Sequence, residues 1–280
     1  MGACCCRISY KDVGYGPVDT SRWMSTISDD RQTSDLSLPG THESMSLYGG
    51  CWAQCQSWSL ATQYNAGVRF VDIRCRHFNN SLPIHHGVIY QHANFDDVLK
   101  TTISFLDAHP TEIIFMRIRE EYLPKNNTTT FAEAVQTCVN KYPPDRLWCG
   151  DGIPRVGEAR GMLVVLRNYY GSATFGLPYG DLDIEDRWVI PSLLPRDITT
   201  KWNSVRSHLE KAQQGSRSTL YLTYSSGASA LACPCAVSRQ LNSLLAKFFH
   251  GQARWGLVAM DFVKINVIFE IIKSNFQADS

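Results

Sequence analysis

Apolar residues fall into two alternating patterns along the chain. Runs such as 113–116 (Ile-Ile-Phe-Met) and 163–166 (Leu-Val-Val-Leu) are apolar at every position, which suits strands covered on both faces of a parallel sheet. Strands are predicted over residues 35–38, 68–75, 82–86, 112–119, 162–167, 219–224 and 256–263, with a weaker one over 187–190. Between them lie helical spacings. Phe95, Val98, Leu99, Thr102, Phe105 and Leu106 recur at three- and four-residue steps, with Asn94 placed to cap their helix. Residues 131–139 and 240–249 read the same way.

This alternation, with about eight strands, predicts an α/β fold of the TIM-type (β/α)8 barrel class. A doubly wound sheet would carry a Gly-rich phosphate turn after its first strand, and Pro39-Gly40-Thr41-His42 is no such turn. Only six residues separate Cys75 from Leu82, too few for a crossover helix between parallel strands. A hairpin centred on Asn79-Asn80 is expected instead, so the barrel is expected to be irregular (distorted), with Asp72 and Arg74 alongside His85 and His86. No internal repeat or long linker divides the chain. Residues 1–34, polar and turn-rich, read as an N-terminal arm, and 35–280 as a single catalytic barrel.

Composition narrows the function. The 280 residues include 27 basic and 26 acidic ones, a net charge of +1, which argues against a nucleic-acid partner. No apolar run reaches the roughly 18 residues of a transmembrane helix. The N-terminus, Met1-Gly2-Ala3-Cys4-Cys5-Cys6, lacks the apolar core of a signal peptide, although Gly2 or Cys4 could carry a lipid. A monomer that is cytoplasmic or peripheral to a membrane is expected. The ten cysteines show no zinc-finger spacing and read as buried free thiols.

Functional residues of such barrels gather where the strands end. Those ends carry His42-Glu43, Asp72 and Arg74, His85-His86, Arg119 and Glu121, Arg167-Asn168 and Asp261. Asp261 lies in the apolar run Val258-Ala259-Met260-Asp261-Phe262-Val263, and a buried carboxylate there needs a partner such as a histidine. Two histidines, several carboxylates and arginines at one mouth suit acid–base phosphoryl transfer. One imidazole accepts the nucleophile's proton, another protonates the leaving oxygen, and a guanidinium holds the anionic ester. Glu43 and Asp72 with His42 or His86 could instead hold Ca²⁺ or Mg²⁺. Arg74, two residues from Asp72, would repel such an ion, and the metal-free site is preferred.

The segment Leu36-Ser37-Leu38-Pro39-Gly40-Thr41-His42-Glu43-Ser44 resembles the first catalytic segment of bacterial-type phosphatidylinositol-specific phospholipase C. Gly67-Val68-Arg69-Phe70-Val71-Asp72-Ile73-Arg74 and Ile84-His85-His86-Gly87 resemble its second. Residues 110–122 are similar to the family's fourth strand and 256–262 to its last. The resemblance implies that His42 is the general base for the inositol 2-hydroxyl, oriented by Asp261, and that His86 is the general acid. Arg74, supported by Asp72, would bind the phosphate where eukaryotic relatives use calcium, so no cofactor is implied, with Ca²⁺ the alternative. It suggests Arg119, Asp186 and Trp188 as inositol contacts and Trp52 as a membrane-docking residue. Two departures are visible. Glu43 stands where bacterial members usually have Asp, and the arginine near the fifth strand that binds inositol hydroxyls falls at Asn168, with Arg167 one position earlier. The implied reaction cleaves phosphatidylinositol, or its glycan-linked relatives, to diacylglycerol and a cyclic inositol phosphate. Alternatives are a phosphodiesterase acting on glycerophosphodiesters or sphingolipids, and a catalytically silent lipid-binding barrel.

Overall fold

In the computed structural model, which describes residues 19–276, the expected alternation bends into a curled, mostly parallel sheet. Its strands are β1 (Leu38–Thr41), β2 (Phe70–Cys75), β3 (Pro83–His86), β4 (Ile89–Asn94), β5 (Ile114–Glu120), β6 (Leu163–Asn168), β7 (Leu177–Pro178), β8 (Asp183–Glu185), β9 (Tyr221–Tyr224) and β10 (Leu257–Met260). The helices are α1 (Leu60–Asn65), α2 (Phe95–Ala108), α3 (Phe131–Val139), α4 (Val156–Ala159), α5 (Pro195–Gln214), α6 (Pro234–Phe248) and α7 (Ile265–Lys273). The parallel strands run β7-β6-β5-β2-β1-β10-β9-β8, and no ladder joins β7 to β8. Residues 179–182 between those two strands form only a single 3₁₀ turn, too short for the crossover that neighbouring parallel strands require. The barrel is therefore open at that seam.

The expected hairpin is present. β3 runs antiparallel to β2 through Cys75 and Ile84, and β4 returns antiparallel to β3. β4 was not predicted, because its residues alternate irregularly between buried and exposed. The first strand is displaced from the predicted 35–38 to Leu38–Thr41. Pro39 and Gly40 speak against a strand in sequence, yet the glycine is what the packing demands: a Cβ at Gly40 would lie 2.7 Å from the Phe70 ring and 3.0 Å from the Val258 carbonyl oxygen. The weak strand at 187–190 is likewise replaced by β8, leaving a lone bridge between Val189 and Ala228. Helix α2 starts at Asn94 as expected, with Asp97 completing a reciprocal cap, and buries Phe95, Val98, Leu99, Thr102, Phe105 and Leu106. Residues 19–34 lie against the barrel, with Trp23 and Met24 fully buried. Gly2 and Cys4 lie outside the described residues. Cys55, Cys75, Cys138, Cys149 and Cys233 are free thiols, whereas Cys235 is disulfide-bonded, contrary to expectation. Among the described residues no helix is long and apolar enough to cross a membrane.

Candidate active site

The register of the parallel strands decides which side chains meet. Asp72 lies beside Arg117, Arg74 beside Arg119, and Arg119 beside Asn168, so these share one face of the sheet. Arg167 pairs with Ile118 and faces the opposite way. It lines a separate cavity of about 710 Å³ with Gln32, Asp151, Asp181 and Arg217. The expectation that Arg167 reaches the substrate is therefore corrected: one step along a strand reverses the face. That cavity contains neither His42 nor His86, so chemistry rather than volume locates the site.

His42 follows β1, and its backbone N–H donates to the Met260 carbonyl at 3.0 Å. That bond sets it beside the end of β10, where its Nδ1 lies 2.8 Å from Oδ1 of the buried Asp261. On the other side of the ring, Arg74 Nη2 lies 2.9 Å from Nε2. A guanidinium can only donate, so Nε2 is the acceptor and Nδ1 carries the proton given to Asp261. Burial disfavours the imidazolium, but the Asp261 carboxylate more than offsets it, and the pKa of His42 is raised from 6.5. A neutral base with its lone pair toward the mouth and a carboxylate behind it is the result.

Arg74 collects the acidic groups. Nη1 lies 2.6 Å from Glu43 Oε1, Nη2 3.0 Å from Asp72 Oδ2, and Glu121 Oε2 stands 3.8 Å away. Burial would push the Asp72 carboxyl up, but Arg74 and Arg117 hold it well below the ordinary carboxylate range. Glu43 goes the other way: burial dominates and raises its pKa despite Arg74. Its Oε1 contacts Arg74 as a charge pair outside hydrogen-bond angles, and approaches His86 Nε2 to 3.7 Å. The longer side chain at this position thus reaches the second histidine without a direct hydrogen bond.

His86 is fixed from behind. Its Nδ1 lies 2.7 Å from the Ala53 carbonyl oxygen and 3.2 Å from Ser46 Oγ. A carbonyl only accepts, so Nδ1 bears a proton and Nε2 faces Glu43. His85, its neighbour in sequence, turns away to Gly87 and the Tyr90 ring. Backbone strain sits at both strand ends: Glu43 has φ +43° and Phe262 φ +44°, each next to a residue of the His42–Asp261 pair.

The remaining expectations divide. Arg119 stands at the rim, 3.9 Å from Glu121 Oε2 and 42% exposed. Asp186 is half-buried; burial raises its pKa, while His42, Arg117 and Arg74 oppose that rise. Trp188 and Trp52 are exposed, whereas Trp58 is buried. Arg117 was missed. It is buried, donates twice to Asn168 Oδ1 (3.0 and 2.7 Å) and once to the Tyr224 hydroxyl, and stands 3.4 Å from Asp72. Its signal was available: a charge inside an apolar run, the same argument that found Asp261. Ser46 and the Ala53 carbonyl carried no sequence signal.

An oriented imidazole, a second imidazole and a guanidinium gathered where the strands end are the groups that acid–base cleavage of a phosphodiester requires. The family model for the phosphatidylinositol-specific phospholipase C X domain matches residues 35–168. The chain is 30% identical to the 1-phosphatidylinositol phosphodiesterase of Listeria monocytogenes, covering 92% of this chain and 86% of that protein. It is 26% identical to the protein of the same name from Staphylococcus aureus strain Newman, over 90% and 93% of the two chains. The solved phosphatidylinositol-specific phospholipase C from Listeria monocytogenes superimposes with a TM-score of 0.81 over 92% of this chain and 100% of that one, at 30% identity. The chain belongs to the phosphatidylinositol-specific phospholipase C family.

Proposed function

We propose that this protein cleaves phosphatidylinositol, or a glycosyl-phosphatidylinositol, to diacylglycerol and a cyclic inositol phosphate without a metal. The observation that carries the reading is the placement of Arg74 Nη2 2.9 Å from His42 Nε2, with Glu43 bridging on toward His86. His42 Nε2 takes the proton of the inositol 2-hydroxyl, whose oxygen attacks phosphorus, and Asp261 stabilises the imidazolium that forms. The bond from phosphorus to the diacylglycerol oxygen breaks, and His86, acting as the imidazolium with Nδ1–H kept on the Ala53 carbonyl, passes its Nε2 proton to that oxygen. Each proton transfer contributes roughly 10²–10⁴-fold. Arg74 exchanges a carboxylate contact for the phosphate oxygens, whose growing charge its planar fork fits. Asp72 and Arg117 hold that fork in place.

Arg119, Asn168, Asp186 and Trp188 supply the headgroup contacts in this reading. Arg117 engages the Asn168 carbonyl oxygen, which leaves the amide N–H₂ as the uncharged donor that this reading assigns to a hydroxyl. Trp52 (76% exposed), Trp188, Leu194 and Leu231 lie in loops following β1, β8 and β9 and support docking at a lipid surface. The test is incubation with phosphatidylinositol vesicles in EDTA and identification of the phosphorus-containing product. A cyclic inositol phosphate is expected. Phosphocholine release from mixed vesicles without any inositol phosphate, or activity restored only by Ca²⁺, overturns the reading. Vesicle binding without turnover identifies a silent barrel instead.

A further inference from the structure

Cys55 takes no part in the proton transfers above, yet it is fully buried against the residues that perform them. One ligand atom each of His42, Cys55 and Asp261 lie within 4.8 Å of one another. The Cys55 Sγ is 3.5 Å from the Ala53 carbonyl oxygen and 3.9 Å from His86 Nδ1, so it stands between the two histidines. Its backbone is equally constrained: Cys55 N–H donates to Ser46, and the Cys55 carbonyl accepts from Phe262 N–H at 2.8 Å. The second bond ties the thiol's loop to the turn that presents Asp261. Three donors of different type therefore converge on one point from three segments of chain: the end of β1, the loop before α1 and the end of β10.

We propose that His42, Cys55 and Asp261 form an inhibitory site for a thiophilic divalent cation, of which Zn²⁺ is the model. Imidazole nitrogen, thiolate and carboxylate are the donors zinc takes, usually three from the protein with a fourth position open to water. Ligand atoms around a tetrahedral zinc lie roughly 3.3–3.8 Å apart, given metal–ligand bonds of about 2.0–2.3 Å. The group needs to close only slightly from its present span. Charge balances: a thiolate and a carboxylate offset the ion, and the thiol proton leaves to solvent. The Nδ1 proton of His42 moves to Nε2 as the metal takes its place beside Asp261. Nε2–H cannot accept the substrate's proton and no longer accepts from Arg74, so the ion silences the base and displaces the phosphate clamp together. Ca²⁺ and Mg²⁺ prefer all-oxygen shells and do not compete for a thiolate site.

The inhibition arm rests on the phospholipase reading; a spectroscopic arm does not. Titration of the protein with Co²⁺ as the probe ion should give tetrahedral d–d bands and a thiolate-to-metal charge-transfer band, both removed by added Zn²⁺. Buffered Zn²⁺ should abolish more than nine-tenths of the activity, reversibly on chelation, while equal Ca²⁺ leaves it unchanged. Cys55→Ser should keep its turnover, lose the charge-transfer band, and need at least tenfold more Zn²⁺ for half inhibition. An unchanged Zn²⁺ response in Cys55→Ser overturns the proposal, as does a Co²⁺ spectrum without a thiolate band. If Cys55→Ser fails to fold, His42→Ala carries the test: its charge-transfer band must weaken, and an undiminished band refutes the site.

Discussion

Two arginines five residues apart in sequence stand toward opposite ends of strand β2, Arg69 just before its start and Arg74 near its end. Arg69, fully buried, has its donors ending on fixed groups: Glu112 Oε2, and the carbonyl oxygens of Tyr64, Val68, Thr20 and Ser21. Glu112 is closed in turn by the Met24 N–H and the Thr111 hydroxyl. Among the described residues Arg74 donates to no backbone carbonyl; its partners are Asp72, Glu43, Glu121 and His42, all titratable side chains. Two oxygens around it, Glu43 Oε1 and Glu121 Oε2, are buried without an aligned hydrogen bond. Burial lowers the pKa of Arg69 even beside Glu112, whereas the surrounding acids overcome burial and raise that of Arg74. A guanidinium saturated by backbone carbonyls and one closed carboxylate fastens the fold. In the proposed mechanism, one held by side chains with capacity to spare trades a partner for a phosphate.

The comparison breaks most sharply at the histidines that flank Arg74. His42→Ala or His86→Ala should lower kcat by about 10³-fold or more with an unchanged thermal melt; activity above a tenth of wild type removes that histidine from the mechanism. At the other end, Arg69→Met should destabilise the protein by roughly 3–5 kcal/mol in denaturant unfolding, because Glu112 is left buried and unpaired. A loss below 1 kcal/mol, on the order of a surface ion pair, would erase the distinction between the two arginines. A smaller effect concerns pH. His42 acts neutral and its pKa is raised, so the acid limb of kcat/KM should lie above the ordinary 6.5. Asp261→Asn should move that limb to lower pH while reducing the plateau. Stability runs with the opposite sign: the His42–Asp261 attraction is fully present below the unfolded pKa and fades as pH rises through the raised folded value. The smallest change is expected from Trp52→Ala, a several-fold weaker sedimentation with phosphatidylinositol vesicles and unchanged turnover of a soluble substrate.

Much of this arrangement was legible in the chain. Apolar runs marked strands β5 and β6, helical spacing with a capping Asn94 marked α2, and polar residues at strand ends marked His42, Arg74, His86 and Asp261. What failed did so for local reasons. Pro39 and Gly40 disguised β1, because the close approach of Phe70 that requires the glycine is a tertiary fact. Arg167 was drawn to the site by a shift of one residue, which only strand register resolves. Arg69 appeared within a motif, but nothing in its neighbours distinguished a saturated clamp from a reactive one. That difference lies in Thr20, Ser21 and Glu112, which are remote in sequence.

The central claim is that Arg74 acts through the directed fork of its guanidinium and not through its charge alone. Arg74→Lys keeps the charge, and Arg117 continues to hold Asp72, so kcat on phosphatidylinositol should fall by about 10²-fold or more while the melting temperature stays within a few degrees of wild type. Near-normal turnover by the lysine variant would contradict the account.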